Sequence, residues 1–251
     1  NAPEEWMWIS SLPGLYRSCA SLENETREAP VMSGHMNVTA GGTYSTQMKR
    51  LSAEIILRSL SCDFTGKPYD GEKLENVSVY LTNVNAEAPV LHDTPYLPTR
   101  IINHGKLEMA DVERFKDPES ILQELSYSIG SLVQEVGIRF RCYPNEAETE
   151  GPGSPFTRLV IEGKIDGVTY YWPININRGN EGTGISRNCR YVYDVRITRL
   201  GHTDPDIPVE TEEAETEASD EKKENKKGFF NRDKKDKKDE KIEELNDRLM
   251  R

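Results

Sequence analysis

No run of the chain approaches the ~18 consecutive apolar residues of a membrane helix, so the sequence holds no membrane-spanning segment. Basic residues are also short: 32 Lys and Arg stand against 43 Asp and Glu, a formal charge of −11. A nucleic-acid binder needs a basic stripe to meet phosphates, and this balance argues against one. Histidine is scarce. His35, His92, His104 and His202 sit in turn-like surroundings, with no H-E-x-x-H or H-x-H spacing for zinc. No G-x-S-x-G elbow, Walker-type loop or dinucleotide fingerprint occurs. Gly151-Pro152-Gly153 begins like a phosphate cradle, but its proline has no N–H to offer and an acidic loop precedes it. His202, Asp204 and Asp206 could touch a cation, yet Asp204-Pro205-Asp206-Ile207-Pro208 reads more simply as a stiff exit from a last strand. Carboxylate pairs for glycosidase chemistry are a question of geometry that one sequence does not answer. No catalytic residue, no cofactor-binding residue and no metal ligand is assigned.

Cys19, Cys62, Cys142 and Cys189 form no C-x-x-C pair. Four cysteines allow three disulfide pairings, and buried free thiols acting as small hydrophobes are an equal reading. Sequons at Asn24, Asn37 and Asn76 have meaning only in a eukaryotic secretory route and are given no weight. The chain opens Asn1-Ala2-Pro3 without a basic or apolar leader, so any export signal is expected upstream.

What is present is period-two alternation. Leu51, Ala53, Ile55 and Leu57 share a face, as do Val77, Val79 and Leu81. Val136, Ile138, Phe140 and Cys142 form a third such row, and Tyr191, Tyr193, Val195 and Ile197 a fourth. Rows of this kind predict half-buried antiparallel strands. Residues 156–165 and 168–176 flank Asp166-Gly167, which tolerates the positive φ angles of a type I′ turn, so they predict a hairpin. One helix is expected from Asp117-Pro118-Glu119, with Ile121, Leu122, Leu125 and Ile129 on one side and Gly130 as its stop. Pro89, Pro95 and Pro98 within residues 88–100 suggest a boundary between two β domains, placing the strands Leu51–Leu57 and Tyr191–Ile197 in different sandwiches. Residues 209–251 carry 15 acids and 12 bases in 43 positions. So few apolar groups cannot offset an ordering entropy of ~1–2 kcal/mol per residue, and a disordered charged tail is expected.

Several blocks resemble the fimbrillin superfamily, the subunits of type V pili of Bacteroidetes. Pro30-Val-Met-Ser-Gly34 is similar to the "P-M-x-G" segment before the first core strand, and Arg50-Leu-Ser-Ala-Glu-Ile-Ile56 to the strand that follows it. Val79-Tyr-Leu-Thr-Asn-Val84 is similar to a strand ending in "N-V". Tyr143-Pro-Asn145, Thr157–Gly163 and Tyr170–Ile174 resemble the late hairpin region, and Ile185-Ser-Arg-Asn-Cys-Arg-Tyr191 the "I-x-R-N-x-x-Y" entry into the last strand. The resemblance, over residues ~30–208, implies an all-β chain of two tandem transthyretin-like β-sandwich domains, residues 1–98 and 99–208, ahead of the tail 209–251. It implies a non-enzymatic pilus subunit, or an accessory, tip or anchor component, exported as a lipoprotein to the outer membrane surface or an extracellular pilus. Its partners would be other pilus subunits, joined by donor-strand exchange after proteolytic removal of an N-terminal strand, and host or bacterial surface ligands. An apolar groove along Met36–Leu60 is expected to receive the neighbour's strand. No cofactor is expected. Two other readings remain open on the same fold: a non-polymerising surface protein that binds glycan or host protein, and a secreted β-sandwich enzyme.

Overall fold

The computed structural model describes residues 19–26, 28–91, 96–179 and 182–204. The expected tail, His92 and Asp206 lie outside the described residues. The strands are, in order, β1 (Cys19–Ser21), β2 (Met32–Ser33), β3 (Lys49–Arg50), β4 (Ala53–Cys62), β5 (Glu75–Thr82), β6 (Val84–Asn85) and β7 (Glu87–Pro89). They continue as β8 (Ile101–Ile102), β9 (Leu122–Glu124), β10 (Gln134–Cys142), β11 (Arg158–Ile165), β12 (Val168–Asn175) and β13 (Arg190–Ile197). The fold is all-β, as expected. Two sheets carry it, ordered β10-β4-β13 and β12-β11-β5-β9.

The alternating rows explain the core. Ala53, Ile55 and Leu57 of β4 and Ile138 and Phe140 of β10 pack in one apolar cluster with Val79 and Leu81 of β5 and Leu159 and Ile161 of β11. Side chains of both sheets thus fill one interior, as a sandwich requires. After Leu57 the inward set of β4 resumes at Leu60 and Cys62, a step of three, and the register slips against both neighbouring strands there. On β10 the slip falls at Gly137, whose φ of +62° suits glycine. The hairpin forms as expected: Ile165 pairs with Val168, and Asp166 and Gly167 take φ of +49° and +76°.

Three expectations are corrected. First, β13 runs parallel to β4 in the same sheet, with Tyr191 opposite Ile55 and Tyr193 opposite Leu57. The two strands therefore do not lie in different sandwiches, and β13 is not antiparallel. β11 likewise pairs with β5 across residue 98, and the described residues fall in one compact unit. Alternation reports which face a strand buries, but it carries no information about which strand lies beside it. Second, the prolines of 88–100 do not mark a linker. Glu87–Pro89 pairs with β1, Ile101–Ile102 pairs with β6, and Val90, Leu91 and Tyr96 are buried. Third, residues 117–130 are not a helix. Pro118–Ser120 makes one 3-10 turn, Leu122–Glu124 pairs with β5, and Ile129 bridges Leu74. Ile121, Leu125 and Ile129 are four apart, a spacing that shares a face on a strand as well as on a helix. The single α-helical turn among the described residues is Met109–Val112.

Buried asparagines knit one end of the sandwich, where β11 begins and β5 and β10 finish. Asn83 donates to the Phe156 carbonyl (3.1 Å) and accepts from the Gly105 N–H (2.8 Å). Asn103 donates to the Leu81 carbonyl (2.9 Å) and accepts from the Glu108 N–H (3.1 Å). Asn145 donates to Pro155 O (2.8 Å), and Asn85 donates to Pro144 O (2.8 Å). Apart from Leu81 at the end of β5, the backbone groups these asparagines meet lie outside the strands, and the carboxamides satisfy them.

Candidate functional site

The described residues contain no group of three His, Cys, Asp or Glu side chains able to hold a metal ion. His35 and His104 are exposed, while His202 exchanges backbone hydrogen bonds with Tyr171. The four cysteines are free thiols. Cys62 and Cys142 are buried, and burial pushes the Cys62 thiol up to about 12 and that of Cys142 higher than its ordinary value. They are inert core groups. The Gly151–Ser154 turn is closed by its own backbone, and Glu150 beside it accepts two bonds from the buried Arg158 (2.8 and 3.0 Å). Two surfaces of the described residues stand out by their charge and exposure.

The outer face of the three-stranded sheet carries charge in rows. Glu54 lies between Arg190 (2.7 Å) and Arg139 (3.5 Å). Asp194 takes Arg58 and Ser59, and Asp63 takes Thr65 and Arg196. Hydrogen bonds from Arg58 and Ser59 hold the Asp194 carboxyl at about 2, and those from Thr65 and Arg196 hold Asp63 at about 2. The arginine partners are exposed, and pairs open to solvent on one side add little stability. They line the outer face of β13, an end strand of its sheet, with paired charge.

A second surface is an arm. β2 and β3 pair at its base, and residues 35–50 between and within them are all exposed. Met36, Val38, Tyr44 and Met48 present apolar surface along it, and the Thr39 N–H donates to the Tyr44 hydroxyl (2.8 Å) near its tip. Arg187 anchors the base. Its guanidinium donates to the Ser33 hydroxyl (2.9 Å) and carbonyl (3.2 Å), to Lys49 O (2.7 Å) and to Arg50 O (3.3 Å). Sequence reasoning missed the arm. Its signal is present: Met32–Met48 is 17 residues without one Asp, Glu, Lys or Arg, in a chain that is 30% charged. The groove expected along Met36–Leu60 is corrected here, because Leu51, Ile55, Leu57 and Leu60 are fully buried and, Arg58 apart, the exposed part of that span is the arm.

Beneath the arm a buried carboxylate ties the first described segment to the sheet. Glu25, 4% exposed, accepts from the Tyr143 hydroxyl (2.7 Å) and from Ser52 (3.2 Å). Burial raises its pKa above the ordinary value, against the hydrogen bonds from Tyr143, the Val31 N–H and Ser52 and the charge of Arg141. Burial and the Glu25 charge also push the Tyr143 hydroxyl up.

The described residues form an all-β sandwich with a charge-paired sheet face and an exposed arm. Comparison with solved structures finds the same fold elsewhere. A candidate cell adhesion protein of Parabacteroides distasonis ATCC 8503 is similar at TM-score 0.61 and 14% identity, over 83% of this chain and 67% of that one. A candidate cell adhesion protein of Bacteroides eggerthii DSM 20697 gives TM-score 0.57 and 16% identity, over 82% and 69%. A fimbrilin of Porphyromonas gingivalis W83 gives TM-score 0.53 and 15% identity, over 79% and 71%. The chain has the fold of these fimbrilin and adhesion structures, as the sequence blocks implied. No protein-family model matches the sequence, and no curated protein matches it.

Proposed function

We propose that this chain is a non-enzymatic fimbrial subunit, or an accessory, tip or anchor component of a pilus, that mediates adhesion at the cell surface. The observation that carries the reading is the fold it shares with a fimbrilin and two candidate adhesion proteins. Assembly is by strand exchange, with export to the outer membrane surface or to an extracellular pilus. No helix among the described residues is long and apolar enough to cross a membrane. β13, at the end of its sheet with Tyr191, Tyr193 and Val195 half-buried, is where a neighbour's strand would add. A sheet end offers main-chain hydrogen bonds for affinity and alternate side-chain positions for register.

The test supplies the strand in trans. A peptide with alternating Val, Ile and Tyr should raise the unfolding free energy by about 2.7 kcal/mol at a hundredfold excess over its dissociation constant. A scrambled peptide of equal composition should not, because its apolar groups fall on both faces. Equal effects, or none, would remove strand exchange from the account and leave a non-polymerising surface protein.

A further inference from the structure

The end of the sandwich opposite the asparagine network contains a break in the β5–β9 pairing. The Leu125 N–H bonds the Val77 carbonyl, and Ile129 and Leu74 exchange bonds (2.8 Å each). Between those two pairings lie residues 75–76 on one side and 126–128 on the other. Two residues cannot stay in register with three, so the strands part as at a bulge, and Asn76 takes a φ of +48°. The gap is a cleft of about 380 Å³ lined by Glu75, Asn76, Leu125, Ser126, Tyr127 and Ser128. The depression is open to solvent and mostly polar, a shape suited to a ligand bound at the surface and not engulfed.

The lining is chemically unspent. Among the described residues, none is hydrogen-bonded or ion-paired to the side chains of Glu75, Asn76, Ser126, Tyr127 or Ser128. These groups supply a carboxylate acceptor, a carboxamide that both donates and accepts, and hydroxyls that do the same. Tyr127, 44% exposed, adds an aromatic face. Tyrosine and serine together make adaptable recognition surfaces of low entropy cost. No lysine or arginine lines the cleft, and Glu75 would repel an anion. A purely apolar ligand would strand five polar groups.

We propose that this cleft binds a neutral saccharide unit. Such a ring carries hydroxyls that both donate and accept around its rim, and C–H faces that lie against an aromatic ring. The inference goes beyond the pilus reading and does not depend on assembly, since the cleft belongs to the single folded chain.

Saturation-transfer NMR on the full chain, with lactose, α-1,2-mannobiose, cellobiose and 3′-sialyllactose as probes, tests it. Transfer to at least one neutral disaccharide is expected, with a dissociation constant on the order of 1 mM. Tyr127→Ala and Asn76→Gly should each weaken it about tenfold or more. Glycine keeps the positive φ at residue 76, so loss there reports the carboxamide and not a strained backbone. Leu97→Ala, on an exposed residue outside the cleft, should leave binding unchanged. Absence of transfer from all three neutral probes overturns the proposal. So does transfer that survives both cleft substitutions, and so does 3′-sialyllactose binding as well as or better than lactose.

Discussion

Asn83 and Asn76 share a left-handed backbone, with φ of +53° and +48°. Their side chains have opposite fates. Asn83, 2% exposed, bonds two loops through its carboxamide, while the carboxamide of the exposed Asn76 has no hydrogen-bond partner among the described residues. The contrast extends to the two ends of the sandwich. At one end Asn85, Asn103 and Asn145 are at most 1% exposed and complete the backbone of crossing loops. At the other, five polar side chains around a break in pairing are committed to nothing. The same residue type holds the fold where it is buried against unpaired backbone. It is available to a ligand where it is not.

The largest effect should come from Asn83→Gly. Glycine accepts the positive φ, so the change isolates the carboxamide. It leaves the Phe156 carbonyl and the Gly105 N–H without their partner. Each buried group left unsatisfied costs about 1–3 kcal/mol, so a loss of about 3 kcal/mol is expected. Urea denaturation with an unchanged slope and a lowered midpoint checks it. A change below about 0.5 kcal/mol would dissolve the distinction between the two ends.

Arg187→Ala should come next, at about 1–2 kcal/mol, since the guanidinium makes charge-assisted bonds to the base of the arm. Its signature is local. Amide exchange should speed up at Lys49 and Arg50 more than in β4. Uniform acceleration would mean that Arg187 supports the sandwich as a whole and not the arm.

Glu25→Gln has a smaller effect at neutral pH, but it changes a slope. The Glu25 pKa is raised in the fold, so its stabilising contribution is complete below the unfolded value near 4.5 and is lost as pH rises through the folded value. The native chain should therefore gain stability relative to the variant as pH falls from about 8 to about 5. Asp63 and Asp194 are held at about 2 and do not titrate in that window. Parallel stability curves for the two proteins would show that Glu25 does not experience its burial.

What was legible in the sequence was local. Leu51 apart, the four alternating rows lie in β4, β5, β10 and β13, and Asp166-Gly167 turns a hairpin as its chemistry requires. What was not legible was non-local. The pairing of β13 with β4 joins residues well over a hundred positions apart, and no local pattern encodes a neighbour. Residues 117–130 misled because a four-residue spacing is even, and therefore common to one face of either element. The arm could have been found from its missing charges. The cleft could not, because it arises from a mismatch of two residues against three on strands that meet only in the fold.

The smallest expected effect is the most discriminating. Asn76→Gly is the same substitution as Asn83→Gly, at the same backbone conformation, and differs only in what the carboxamide touches. With no hydrogen bond to lose and an exposed site, its cost should stay within about 0.5 kcal/mol. Glycine raises the entropy of the unfolded chain, which opposes folding, but it also relieves the strain of a positive φ, and the two terms offset each other. Thermal unfolding of the two variants side by side measures the difference directly. A gap of about 2 kcal/mol or more between them assigns the fold-holding role to the buried end alone. Equal losses would mean that the residue 75–76 and 126–128 strands are held together by Asn76, that the break in pairing is closed in solution, and that no cleft is there to bind anything.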